Sequence, residues 1–102
     1  MTETLALKSQ NQTGLPRIKI CGLTRLSDAQ LAAELGAFAL GFVFYPPSPR
    51  AVEPPVAAQI VAQLPEAIWK VGVFVNADAC TLRQTAQAVG LTHLQLHGNE
   101  SP

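Results

Sequence analysis

The sequence predicts an α/β fold of parallel βα units: four strands and three helices forming the first half of an eight-stranded (β/α)8 barrel. Three observations predict it. Apolar runs alternate with helix-like stretches in the order β-α-β-α-β-α-β, with a repeat of about 25 residues, as in barrel-type βα units. Two of those runs, FALGFVF (38–44) and IWKVGVFV (68–75), are nearly continuous, the pattern of strands buried on both faces. The outer strands carry polar groups on one face only: Lys19 and Cys21 in RIKIC (17–21), and His93, Gln95 and His97 in THLQLH (92–97). A small doubly wound sheet has the same element order, but the polar faces favour the barrel. Outward faces of barrel strands pack on helices and must be apolar, whereas inward faces turn polar at the C-terminal rim, where active sites lie.

Each element follows from local signals. MTETLALKSQNQTGLP (1–16) is mostly polar and reads as a flexible extension ending at Pro16; the ordered unit is 17–102. After RIKIC, S-D-A-Q (27–30) reads as a capping box, with Ser27 as the cap and Gln30 three residues on. Leu31 and Leu35 lie four apart on one face of that helix, and Gly36 ends it. YPPSPR (45–50) breaks the second strand as a proline-rich loop. Pro54 or Pro55 suits the first turn of the second helix, whose stripe is Val56, Ile60, Val61 and Leu64, closed by Pro65. Asn76 or Asp78 caps the third helix, with Leu82, Ala86 and Val89 on one face and Gly90 at its end. In the fourth strand Leu94 and Leu96 face away from His93, Gln95 and His97.

Composition narrows the function. The 102 residues suffice for one domain, and 48% hydrophobic with 14% charged residues is a globular balance. Seven basic and seven acidic residues cancel, so neither nucleic acid nor a membrane surface is an expected partner. No apolar run approaches the ~20 residues of a membrane helix, and the N-terminus lacks the apolar core of a secretory signal. Cys21 and Cys80 form no C-x-x-C pair and no disulfide framework. The expected compartment is the cytoplasm. Dinucleotide, P-loop and G-x-S-x-G fingerprints are missing, and no cofactor or metal is expected.

Cys21 is the first candidate for chemistry. A free cysteine is most often a small buried hydrophobe, but one at a strand's C-terminal end, before Gly22, suits a base or nucleophile at the mouth of a site. Lys19, if protonated nearby, would favour the thiolate; it also suits an interior lysine paired with a later acid. Arg50 ends the proline-flanked loop. Loop arginines are usually solvated, but a rigid loop over a barrel mouth would hold the guanidinium as a fork for a carboxylate. His97 is either a hydrogen-bonded structural group or an acid or base. Cys80 reads as structural or surface, Trp69 as packing, Asp78 as a cap, and Asp28 and Glu100 as capping or solvated.

Four motifs, KICGLT (19–24), GFVFYPPSPR (41–50), KVGVFVN (70–76) and QLHGNE (95–100), resemble in order and spacing those of the phosphoribosylanthranilate isomerase family, a TIM-barrel family of tryptophan biosynthesis. The resemblance covers residues 17 to 102. It implies an isomerase that converts N-(5-phosphoribosyl)anthranilate into 1-(2-carboxyphenylamino)-1-deoxyribulose 5-phosphate by an Amadori rearrangement, with no cofactor. It implies that Cys21 is the general base, that Arg50 clamps the anthranilate carboxylate, and that His97 lines the substrate-binding mouth. The family's general acid is an aspartate on the fifth barrel strand, and its phosphate site lies in the loops after strands seven and eight. Both fall beyond residue 102, so the expectation for these residues alone is an inactive half-barrel that self-associates. A non-catalytic half-barrel module that pairs with itself or a partner is the alternative.

Overall fold

The computed structural model describes residues 18–97 and the backbone of Thr2–Ala6. Its elements are β1 (Thr2–Ala6), β2 (Lys19–Ile20), α1 (Leu26–Glu34), β3 (Ala39–Val43), α2 (Pro54–Val61), β4 (Trp69–Val75), α3 (Ala79–Val89) and β5 (His93–His97). One sheet runs in the order β1-β5-β4-β3-β2. β2, β3, β4 and β5 are parallel neighbours joined by the three helices, as the alternating pattern requires.

β1 is the departure. It lies antiparallel on β5, from Thr2 opposite His97 to Ala6 opposite His93. No element is expected before residue 17, where the sequence reads as an extension. In the structure β5 is paired on both sides. Five residues of threonine, glutamate, leucine and alanine carry too weak a pattern to announce a strand; the unfilled backbone donors and acceptors along β5 supply the template. Glu100 and the rest of GNESP lie outside the described residues.

The helices pack on one face of the sheet. Leu40, Phe42 and Phe74 are fully buried between the sheet and a layer containing Ala29, Ala32, Ala57, Ile60 and Val89. Gly72 has no room for a side chain, since a Cβ there would lie 2.5 Å from Leu91 Cδ1 and 2.8 Å from the Phe74 ring. Phe44 stacks on Phe74 with ring centroids 5.3 Å apart.

Two features of α1 differ from expectation. The cap position is Arg25, with no side-chain capping bond, and Ser27 lies inside the first turn. Arg25 Nε instead reaches Asp28 Oδ2 at 3.2 Å, drawing that carboxylate to its own side chain. The buried face is Ala29 and Ala32, while Leu31 and Leu35 are 55% and 71% exposed. Both faces are apolar in sequence, and the short side chains let the helix approach the sheet closely. Gly36 follows the helix at φ +95°, as its placement predicts.

α2 starts at Pro54 as expected and ends at Val61. Leu64 is buried in the turn beyond it, and Val56 is exposed. That turn also receives Lys70, whose Nζ donates to Pro65 O at 2.7 Å. Burial pushes the pKa of this lysine down, with Glu66 partly opposing the shift.

Of the two candidate caps for α3, Asp78 is the one used: its Oδ1 accepts from Thr81 N at 2.7 Å. The Thr81 backbone N–H holds the carboxyl below its ordinary pKa. A depressed folded-state value means the cap stabilises the fold above the unfolded pKa and is lost as pH falls through the folded one. Asp78→Ala should therefore lower the melting temperature by about a few degrees near neutral pH. The gap to the parent should close below about pH 4. Circular-dichroism melts across that range would show it, and a gap independent of pH would contradict the charged-cap account.

Candidate active site at the C-terminal rim

The face of the sheet away from the helices carries the candidate groups. Parallel pairing puts side chains in rows across it: Lys19, Ala39 and Trp69; then Gly41, Val71 and His93; then Val43, Val73 and Gln95; then Val75 and His97.

Cys21 stands just past the end of β2 and is exposed. Its seat is made by Gly41 on β3. A Cβ at Gly41 would lie 2.8 Å from Cys21 Sγ and 3.2 Å from its Cβ, so only glycine leaves room for the thiol. The chain beyond Cys21 is tied down, because Gly22 N and Leu23 N both donate to Gly41 O, at 3.1 and 3.2 Å. Gly22 takes φ +85°, a backbone state that glycine adopts without strain.

Gly22 has a second use. A Cβ there would meet Arg50 Cδ at 2.8 Å and one guanidinium nitrogen at 3.4 Å. The arginine therefore lies across Gly22, next to Cys21, although the two residues come from different βα units. The proline loop holds it there. Ser48 N donates to Tyr45 O at 2.9 Å, Arg50 N to Ser48 Oγ at 3.1 Å, and Val52 N to Val43 O at 2.9 Å. Among the described residues no carboxylate pairs with the Arg50 guanidinium. A fork of donors over the residue that follows a thiol is suited to holding a carboxylate while the sulfur works on a neighbouring atom.

On the far strand, Lys19 Nζ donates to Gln95 Oε1. The Gln95 amide Nε2 lies 3.2 Å from His97 Nε2. An ammonium and an amide NH2 both donate, so the amide oxygen faces Lys19 and the imidazole nitrogen accepts. His97 thus stands at the rim and is tied into this chain of bonds. Lys19 meets an amide rather than an acid, and Gln95, to which the sequence reading gives no chemical role, links the two ends of the sheet.

His93 is fully buried below the rim. Its ring stacks on Trp69 at 3.7 Å, Trp69 meets Phe38 edge-on at 5.2 Å, and His93 Nδ1 lies 2.9 Å from Thr92 Oγ1. These groups form a floor. Cys80 is exposed on α3, outside the polar face. No three potential metal ligands cluster among the described residues.

Residues 18–102 match the family model of N-(5'-phosphoribosyl)anthranilate isomerase. The chain belongs to this family. A curated relative from Pseudomonas savastanoi pv. phaseolicola, named N-(5'-phosphoribosyl)anthranilate isomerase, is 57% identical over 86 residues, covering 84% of this chain and 42% of the relative. The crystal structure of phosphoribosylanthranilate isomerase from Thermotoga maritima superposes with a TM-score of 0.82 at 46% identity, over 85% of this chain and 42% of that one. A family structure in complex with reduced 1-(o-carboxyphenylamino)-1-deoxyribulose 5-phosphate gives the same TM-score and identity, over 85% and 45%. The chain thus spans less than half the length of these relatives. Its four parallel strands and three helices correspond to about half of the family's barrel.

Proposed function

We propose that this chain carries the proton-abstracting half of a phosphoribosylanthranilate isomerase, with Cys21 as general base, Arg50 as carboxylate clamp and His97 at the mouth. The observation that carries the proposal is that Arg50 lies over Gly22, the residue after Cys21, while the thiol is seated over Gly41. The substrate joins a benzoate to a ribose phosphate through one nitrogen. Its carboxylate and the carbon that loses a proton are therefore a few bonds apart, which suits a guanidinium and a thiol placed side by side.

In this reading the opened substrate is a Schiff base whose C2–H is acidified by the neighbouring iminium. The Cys21 thiolate removes that proton, and the enol relaxes to the ketone. Catalysis by a positioned base depends on its proton affinity being matched to neutral pH and on its rigidity. The bonds from Gly22 and Leu23 to Gly41 O provide the rigidity. The proton donor to the ring oxygen and the phosphate site belong to the remainder of the barrel, so residues 1–102 alone should not turn over substrate. The proposed setting is tryptophan biosynthesis in the cytoplasm; among the described residues no helix is long and apolar enough to cross a membrane.

A chimera tests the reading. Residues 18–97 replace the matching segment of the Pseudomonas savastanoi relative, and the product is assayed for isomerisation and for rescue of a tryptophan auxotroph lacking the enzyme. Activity supports the proposal; a folded, inactive chimera refutes it.

We also propose that the chain on its own associates through the β2 end of the sheet. β2 ends the strand order, and Ile18, Leu31 and Leu35 are exposed, so a second copy would cover both backbone and apolar surface. Light scattering should show concentration-dependent oligomers that Leu31→Glu with Leu35→Glu disperses. A monomer at every concentration would contradict it.

A further inference from the structure

Between Cys21 and the far strand the concave face carries a second cation that the reading above does not use. Lys19 starts one row below Gly41, the seat of the thiol, whereas its partner Gln95 stands one row above. Adjacent rows of one face are about 7 Å apart along a strand, so the bond from Lys19 Nζ to Gln95 Oε1 carries the lysine side chain across the Cys21 level. Lys19 is itself exposed, so a ligand in the bowl can reach the ammonium. Gln95 is held in turn by His97.

We propose that Lys19, positioned by Gln95, is a further substrate-contacting residue: a cation beside Cys21 that receives an oxyanion. Resting on the isomerase reading, that oxyanion is the oxygen borne by the carbon that Cys21 deprotonates. As the S–H bond forms and the C2–H bond breaks, the released pair makes C1=C2, and the C1=N pair withdraws onto nitrogen. When C2=O forms, the hydroxyl proton leaves to solvent and C1 takes up the proton held by sulfur. Negative charge gathers on the C2 oxygen in that step. A fixed ammonium stabilises it while keeping its own proton. Gln95 is a positioning residue, acting through the lysine.

The test uses the 102-residue chain with Cys80→Ser, so that one thiol remains. Cys21 is alkylated with iodoacetate, which is anionic, and with iodoacetamide, which is neutral. The ratio of the two rates cancels the fraction of thiolate and any general change in accessibility, leaving the local charge. Lys19→Met should lower the ratio about threefold at low salt, the Boltzmann factor for unit charges about 6–7 Å apart in water. Lys19→Arg should retain the parent ratio, Gln95→Leu should lower it towards that of Lys19→Met, and the differences should shrink in about 1 M salt. A ratio unchanged in Lys19→Met overturns the cation site, and a ratio unchanged in Gln95→Leu overturns the positioning role. A purely structural loss would alter both rates alike and leave the ratio unmoved. A lowered ratio together with an inactive chimera would remove the isomerase reading and keep the cation; an unchanged ratio with an active chimera would do the reverse.

Discussion

Cys21→Ser in the chimera should lower kcat by about two or more orders of magnitude, the usual scale for removing a positioned base. Serine is nearly isosteric, so the seat over Gly41 and the bonds from Gly22 and Leu23 should persist. What changes is proton affinity. A serine hydroxyl ionises far above neutral pH and would need a second base to activate it, and the rows of this face between β2 and β5 hold no carboxylate. The defect should therefore fall on kcat, with KM little changed, because the contacts of bound substrate remain. Steady-state kinetics of the folded mutant give the answer, and a kcat within a few-fold of the parent would remove Cys21 from the role of base. A general weakening of the fold would instead show as lost melting temperature.

The two buried strands and the three helices were legible because each carries a pattern that little else can satisfy. FALGFVF and IWKVGVFV are too apolar for any place but the middle of a covered sheet, and they became β3 and β4. Gly90, at φ +89°, ends α3 where the sequence places it. Cys21 and Arg50 were legible as separate candidates, but the position of Arg50 over Gly22, beside the seat of the thiol, was not. It depends on Gly22, just past β2, and Gly41 on β3, whose missing side chains make the space, and the pattern of one strand says nothing about the width of the next. Leu31 and Leu35 misled for the opposite reason. An i, i+4 leucine pair marks an apolar face without saying which of two apolar faces goes inward, and alanine allows the closer approach. Lys19 was legible as a polar residue on the same face as Cys21, but not its partner, since Gln95 looks like any polar residue of an alternating strand until curvature brings β2 and β5 within a side chain's reach.

Arg50→Ala in the chimera should cost about 2–4 kcal/mol in kcat/KM, the scale for losing one side of a charge-assisted pair. The geometry makes this a binding defect first. The guanidinium lies over Gly22 and the loop fixes the arginine's backbone, so part of the ordering cost of gripping a carboxylate is already met. Removing it leaves the Cys21 seat intact, because the arginine contacts Gly22 and the thiol is held by the space over Gly41. Lysine should restore only part of the loss, since it keeps the charge but not the planar fork. The decisive comparison uses a substrate analogue with the carboxylate removed. If Arg50 grips that group, parent and Arg50→Ala should handle the analogue about equally while differing by about 30-fold or more on the natural substrate. An equal loss on both would mean that the arginine shapes the rim without touching the carboxylate, and the clamp assignment would fail.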